Sequence, residues 1–269
     1  MMGGNDQQAY DRGTSLFSPD GRIYQVEYAR EAVSRGAPSV GVRTADGVVF
    51  VAMSRASSTL MEAESIEKLH KLDDHLGTAS AGHVADARQL IDLARRQSQG
   101  NRLRYGEAVG VETLTKFVTD HIQENTQRGG TRPYGAALLI GGIENGEPRL
   151  FAADPSGTPN EWKATVIGGG RSDIQGHLEE EWTEGLSLDA GVELGIAALA
   201  AHDDEFEPAD LAVATVTEAD GYRTVPVEEV AEAFAAAGLT TEDEDEDEDE
   251  DDEGADADGE AGADDDDEE

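Results

Sequence analysis

Cysteine is absent from the sequence, which excludes disulfide bonds and thiolate chemistry. There is also no apolar run of roughly 18 residues, the length that a helix needs to cross a bilayer. The first residues, Met1–Asp6, lack the charged and then apolar pattern of a secretory signal. From these absences we expect a soluble cytoplasmic protein with no membrane partner.

Basic residues are few, since 20 Lys and Arg stand against 59 Asp and Glu and the net charge is −39. The segment Thr240–Glu269 contributes −21 with no Lys or Arg, which leaves −18 for residues 1–239. Without a basic face, the chain is not expected to bind nucleic acid. Acidic residues are scattered along every segment, and molar salt shortens the Debye length to roughly 3 Å, so adaptation to a high-salt cytoplasm is favoured over a cationic partner.

No motif for a metal, a cofactor or a serine nucleophile is present. The histidines lack an H-E-x-x-H or comparable spacing, and no serine lies in a G-x-S-x-G elbow. Gly168-Gly169-Gly170 lacks the Lys-Ser/Thr ending of a phosphate loop, so we interpret it as a turn between a strand and a helix. We therefore expect no metal and no cofactor. The six histidines are His70, His75, His83, His121, His177 and His202.

Composition divides the chain into three parts. Residues 1–19 mix Gly, Gln, Asp and Ser without periodicity and end in a Ser-Pro-Asp-Gly turn, which predicts a mobile arm. Residues 20–239 carry the periodic apolar patterns of a folded domain. Residues 240–269 hold no apolar residue larger than alanine, so we predict a disordered acidic tail.

Apolar residues recur at helical spacing in several segments. The first predicted helix spans 23–35 and stops at Gly36. Other helices are predicted over 172–183, 188–202 and 227–237. Two long helices are predicted between the first helix and these three. The apolar face of the first helix is Ile23, Val26, Ala29 and Val33, and the faces of the two long helices are Val84, Ala87, Ile91 and Ala94, and Val111, Leu114, Val118 and Ile122.

Short β-rich runs are joined by turn signals at Asp46-Gly47, Asn145-Gly146 and Asp220-Gly221, which predict hairpins. Hairpins give antiparallel pairing, and pairs of helices alternate with the strands along the chain. We therefore predict an α+β fold in which two antiparallel sheets stack face to face between layers of helices. The predicted strands cover 40–44, 48–53, 75–81, 135–143, 148–153, 163–167, 211–217 and 222–225.

The segment 10–29, YDRGTSLFSPDGRIYQVEYA, resembles the N-terminal signature of proteasome α subunits almost residue for residue. Further matches follow in order at 65–69 (SIEKL), 82–88 (GHVADAR) and 132–135 (RPYG). The resemblance covers about residues 8–238 and excludes the tail. It implies the four-layer αββα sandwich of N-terminal-nucleophile hydrolases, with an extra N-terminal helix on the outer end of a ring.

The same resemblance implies a structural and regulatory subunit of a threonine-type endopeptidase, the archaeal 20S proteasome core. Such subunits form heptameric outer rings on rings of β subunits and gate the entry of unfolded protein substrates. They also dock AAA ATPase activators of the proteasome-activating nucleotidase type through the activators' C-terminal tails. The implied process is ubiquitin-independent protein degradation in the cytoplasm.

Catalytic members of this fold use an N-terminal threonine whose own amine activates its hydroxyl. Alignment of Ser39-Val40-Gly41 with the start of a catalytic subunit places that position at about Ala37, and the acidic partner near Met53. Lys68 falls near the active-site lysine but has nothing to activate. We therefore expect no catalytic residue here. An active threonine protease and an acidic binding protein unrelated to proteolysis remain the alternatives.

The resemblance also assigns roles to individual residues. The gate, which holds the arms of neighbouring subunits away from the pore, is Tyr10, Asp11, Pro19 and Tyr28. The pocket for the activator's C-terminal carboxylate is Lys68 at its base with Arg35, Gly36, Ile23, Gly82 and His83. His83 stands where an aliphatic residue is expected, which makes the wall more polar.

The loop Arg128-Gly129-Gly130 corresponds to the segment that narrows the axial channel. Arg128 replaces an expected aromatic residue. A ring of seven such arginines predicts a positive rim at the constriction.

Overall fold

The computed structural model describes residues 17–18, 21–56, 58, 60–62, 65–128 and 130–239. The predicted acidic tail and most of the predicted arm lie outside these ranges. The helices and strands within them are α1 (Tyr24–Ser34), β1 (Ser39–Arg43), β2 (Gly47–Met53), β3 (Leu69–Asp73), β4 (Leu76–Gly82), α2 (Val84–Tyr105), α3 (Val111–Gln127), β5 (Ala136–Glu144), β6 (Glu147–Ala153), β7 (Pro159–Glu161), β8 (Ala164–Ile167), α4 (Arg171–Glu181), α5 (Leu188–Ala200), β9 (Leu211–Thr217), β10 (Gly221–Val225) and α6 (Val227–Ala236).

The described strands form two sheets of five strands each. Sheet I has the order β10-β9-β2-β1-β8, and sheet II has the order β3-β4-β5-β6-β7. All pairings between these strands are antiparallel. The three predicted hairpins are confirmed, and Asn145 at φ 55° with Gly146 at φ 80° makes the left-handed turn that an Asn-Gly pair favours.

Three apolar clusters divide the molecule into four layers. Between the sheets lie side chains such as Phe50, Leu139 and Leu150, all fully buried. The outer face of sheet I packs against α4, α5 and α6, and the outer face of sheet II packs against α2 and α3. Side chains alternate along each strand, so one set points into the layer between the sheets and the other set packs against the helices. The predicted αββα sandwich is therefore confirmed.

Helix α1 packs at one end of the sandwich, against β4 and β5. Val26, Ala29 and Val33 are buried, as the periodicity predicted, and Val33 enters the cluster between the two sheets. Ile23 is the residue before the helix and is only partly buried. The additional N-terminal helix thus closes one end of the inter-sheet layer.

Two strands and one buried face differ from the prediction. β3 and β7 were not predicted; β7 is three residues long, and the pairing of β3 with β4 shifts register between Lys71 and Asp73. Val84 was placed on the buried face of α2 but is 65% exposed, because it is the first residue of the helix. Leu90, fully buried, takes its place in the core. None of the helices described here is long and apolar enough to span a bilayer.

Candidate functional site

An open depression of about 460 Å³ lies where the end of α1 meets the corner between β4 and α2. It brings together four of the predicted pocket residues, Arg35, Gly36, Gly82 and His83, and the predicted gate residue Tyr28 forms part of its wall. Ile23 and Lys68 do not line it. The sequence signature thus marks one surface, although two of the predicted residues lie outside its lining.

The close approach of two backbones forms the floor of this depression. A Cβ on Gly36 would stand 2.6 Å from the amide nitrogen of Gly82, closer than real Cβ contacts. Gly82 has φ +98°, a conformation that favours glycine. Both glycines are therefore required if the chain is to turn at the end of α1 and at the end of β4 in the same place.

Lys68 lies beside this floor, where it contacts the two residues that follow Gly36. Its Nζ donates hydrogen bonds to the carbonyl oxygens of Ala37 at 2.6 Å and Pro38 at 3.2 Å. Ser80 fixes its backbone, since the Ser80 amide donates to the Lys68 carbonyl at 3.0 Å. Among the described residues no carboxylate forms an ion pair with this ammonium group, and burial lowers the pKa of Lys68 to about 7.

The positions aligned with a catalytic centre also meet here. Lys68 contacts Ala37, and the amide of Met53 donates to the Pro38 carbonyl at 3.0 Å, while the Met53 side chain is buried in the core of sheet I. Lys68 thus contacts Ala37 itself, and Met53 contacts the residue that follows Ala37. A methyl group and a thioether offer neither nucleophile nor base at this point.

Asp86 organises the outer wall of the depression, and sequence reasoning did not single it out. This carboxylate, 5% exposed in the first turn of α2, accepts two hydrogen bonds from the Arg132 guanidinium, at 2.5 and 2.8 Å, and a third from the Gly135 amide at 2.8 Å. The amide of His83 donates to the Gly135 carbonyl at 2.8 Å. Burial alone would raise the pKa of Asp86, but these donors outweigh it and hold the pKa below its usual value.

A signal for this contact was present in the sequence. Asp86 lies in the motif at 82–88 and Arg132 in the motif at 132–135, so the ion pair joins two segments that had been noted separately. A carboxylate in the first turn of a helix is also favoured by the helix dipole.

The predicted channel loop leaves the end of α3. Arg128 is exposed, and its guanidinium donates to the Glu124 carboxylate one turn earlier, at 3.1 Å. Thr131 closes the loop by donating to the carbonyl oxygens of Asn125 and Arg128. Gly130 has φ +85°, and Gly129 lies outside the described residues. The Glu124 carboxylate partly offsets the charge of Arg128, and the positive rim stays a prediction.

The predicted gate lies mostly outside the described residues, since Tyr10, Asp11 and Pro19 are not among them. Tyr28 is described and is 49% exposed on α1. A hydrogen bond from the Gly21 amide to the Ser18 carbonyl at 2.8 Å spans the predicted Ser-Pro-Asp-Gly turn. The role of these residues stays a prediction.

Comparison with known proteins gives matches over most of the chain. The family described as proteasome subunit matches residues 33–216, and the N-terminal signature of A-type proteasome subunits matches residues 10–32. The alpha 2 proteasome subunit of Haloferax volcanii is 67% identical over 236 residues, which cover 88% of this chain and 94% of the relative. The alpha 1 proteasome subunit of Haloarcula marismortui is 62% identical over 247 residues, covering 90% and 95%.

The alpha proteasome subunit of Natronomonas pharaonis is 61% identical over 233 residues, covering 86% of this chain and 91% of the relative. These relatives come from halophilic archaea, which agrees with our interpretation of the acidic body as an adaptation to salt. The family matches together span the helix that closes the sandwich, all of sheet II, and sheet I except β10 and the last residue of β9. The chain belongs to the proteasome subunit family, and within it to the α type that carries the N-terminal signature.

Proposed function

We propose that the chain is a non-catalytic subunit of the 20S proteasome core, which forms heptameric outer rings, gates substrate entry and docks an activator ATPase. The observation that carries the proposal is the surface formed by Gly36, Gly82 and the neighbouring Lys68. This surface lies directly beside the helix that bears the N-terminal signature. In this proposal the β subunits supply the proteolytic centre for intracellular protein degradation in the cytoplasm.

The absence of a nucleophile supports the non-catalytic assignment. Ala37 occupies the position where a catalytic subunit needs a hydroxyl and a free amine, and 36 residues precede it in this chain. The Lys68 ammonium group donates its hydrogen bonds to two backbone carbonyls and not to a reacting group. Peptide hydrolysis by this fold therefore needs a partner chain.

Lys68 suits the base of a site for a peptide's terminal carboxylate. It is partly buried, it has no carboxylate partner among the described residues, and a ligand carboxylate would supply the missing counter-charge. A single charge-assisted hydrogen bond contributes about 1.5–3 kcal/mol, less in high salt. Seven such sites in a ring act together through multivalency.

The first test is the molar mass of the purified chain by light scattering in molar salt, with and without a β subunit. Seven copies of a 28.5 kDa chain give roughly 200 kDa, and stacked rings give twice that. We expect one of these masses, with peptidase activity only after a β subunit is added. A stable monomer that never binds a β subunit, or peptidase activity of the chain alone, would contradict the proposal.

The channel loop leads to a prediction about substrate charge. Arg128→Tyr removes the cation and leaves Glu124 without its partner, so each copy around the channel becomes more acidic. In the assembled complex we expect acidic unfolded substrates to be degraded about twofold more slowly relative to basic ones, a small effect because molar salt screens charge. The measurement is the degradation rate of unfolded proteins matched in length but opposite in net charge.

Arg104→Tyr makes the same exchange in the last turn of α2 and serves as the control. If Arg128→Tyr leaves the ratio of acidic to basic substrate rates unchanged, the loop does not select substrates by charge.

A further inference from the structure

A second cleft, of about 300 Å³, opens between α1, the turn after β6, strand β8 and the start of α4. Its wall is largely apolar and includes Val33, Ala137, Ile167 and Trp162. It shares no lining residue with the depression near Lys68. A mostly apolar cavity with a few polar groups at its rim is the usual form of a small-ligand site.

The rim of the cleft carries two arginines, one of which lacks a partner among the described residues. Arg30 is balanced, because its guanidinium donates to Asp154 at 2.8 and 3.0 Å and to Glu27 at 3.2 Å. Arg171 lines the same cleft, and none of the described residues pairs with it by a hydrogen bond or an ion pair. An exposed guanidinium without a partner at the edge of an apolar cleft favours an anionic ligand.

Two polar side chains around this cleft have no hydrogen-bond partner among the described residues. The indole N–H of Trp162 is buried and has no acceptor within the described part of the chain. The Asn160 side chain at the rim likewise has no partner there, whereas Asp154 already accepts from Arg30 and Ser156. A guanidinium and an indole N–H only donate, so a ligand that pairs with either brings acceptor oxygens.

We propose that this cleft binds a carboxylate carried on a small apolar body, held by Arg171 at the rim with the apolar part against Val33, Ile167 and Trp162. A planar guanidinium matches a carboxylate in a two-pronged contact. The volume equals about ten water molecules, which suits a ligand the size of one apolar amino acid. The C-terminal residue of a peptide and a free short-chain acid share this chemistry. The proposal does not depend on ring formation or on the activator.

Tryptophan fluorescence tests the proposal directly. The chain has two tryptophans, so Trp182→Phe leaves Trp162 as the one reporter. In molar salt this chain is titrated with N-acetyl-leucine, with 4-methylpentanoate and with N-acetyl-leucinamide, which lacks the charge. We expect a saturable change in Trp162 emission with both carboxylates, with a midpoint of roughly 1–10 mM, and binding of the amide at least about tenfold weaker.

Charge variants made in the same background assign the contact. Arg171→Gln is expected to weaken both carboxylates about tenfold or more, while Arg104→Gln, the same exchange outside the cleft, leaves them unchanged. Tighter binding of N-acetyl-leucine identifies a peptide terminus as the ligand, and equal binding identifies any apolar carboxylate. No saturable change, equal binding of the amide, or full binding by Arg171→Gln would overturn the proposal.

Discussion

Replacing Lys68 by alanine is expected to abolish stimulation by an activator ATPase while the assembled core keeps its unstimulated cleavage of small peptides. The ammonium group is the cation that lies beside the Gly36 and Gly82 surface without a carboxylate partner among the described residues. In the proposed ring of seven sites, losing about 1.5–3 kcal/mol at each site is expected to prevent multivalent docking. The measurement compares stimulated degradation of an unfolded protein with unstimulated cleavage of a short peptide.

Lys71→Ala provides the matched control. Lys71 lies three residues further on, is exposed, and pairs with Asp74 at 2.7 Å, so its removal changes the net charge equally without touching the surface near Gly36. Stimulation should survive this change. Full stimulation of the Lys68→Ala core, or equal losses in both variants, would refute the role given to Lys68.

The lowered pKa of Lys68 gives this prediction a pH dependence. Burial brings the pKa of Lys68 to about 7, below the value of 10.5 for an unfolded chain. Below pH 7 both states carry the charge, so its burial lowers the free energy of unfolding. Above pH 10.5 both states are neutral and this cost is absent. A docked carboxylate favours the ammonium form, so docking above pH 7 must take up a proton. Activator affinity should therefore fall as pH rises from 7 to 9, and Lys68→Arg should remove this fall.

Asp86→Ala should produce the largest loss of stability among the substitutions considered. The carboxylate is buried and accepts three hydrogen bonds, and its removal leaves the buried amide of Gly135 without an acceptor. The Arg132 side chain is 63% exposed, so water can hydrate its guanidinium once the carboxylate is removed. We therefore expect the free energy of unfolding to fall by about 3 kcal/mol, the lower end of the range for breaking a buried ion pair. Denaturant unfolding in molar salt measures it.

Two further variants separate the contributions. Asp86→Asn keeps an acceptor for Gly135 and should lose about half as much, while Asp92→Ala removes an exposed carboxylate of the same helix and should change little. Because the pKa of Asp86 is lowered, its stabilisation is complete above the unfolded value near 4 and is lost as pH falls through the folded value. A loss below about 1 kcal/mol for Asp86→Ala would show that the ion pair is only a surface contact.

Local patterns predicted most of the fold because most of its signals are local. Asn145-Gly146 makes its turn through the conformations of two adjacent residues, and the spacing of Val26, Ala29 and Val33 sets one helix face. β3 was missed because its alternation is short, polar residues occupy it, and a register shift at Lys71 interrupts the pairing. β7 begins with a proline and spans three residues, too few to show a period.

The site was only partly predictable, because its contacts join distant segments. Resemblance placed Lys68 beside Ala37, although the direction of its hydrogen bonds and the lowered pKa depend on burial that no motif encodes. The pairing of Asp86 with Arg132 spans 46 residues and required the three-dimensional path of the chain. Glu124 could have been found from its i, i+4 spacing to Arg128, which is an ordinary helical ion pair.

The position of α1 sets a delay during synthesis of the chain. The helix leaves the ribosome before the strands that cover it, since Val33 packs in a cluster that contains Ala81 and Ala137 from two later strands. About 100 residues must therefore follow before its buried face has a partner, which at roughly 5–20 residues per second takes about 5–20 s. For that interval the apolar stripe of Val26, Ala29 and Val33 is uncovered in the cell, in a segment that also carries the family signature.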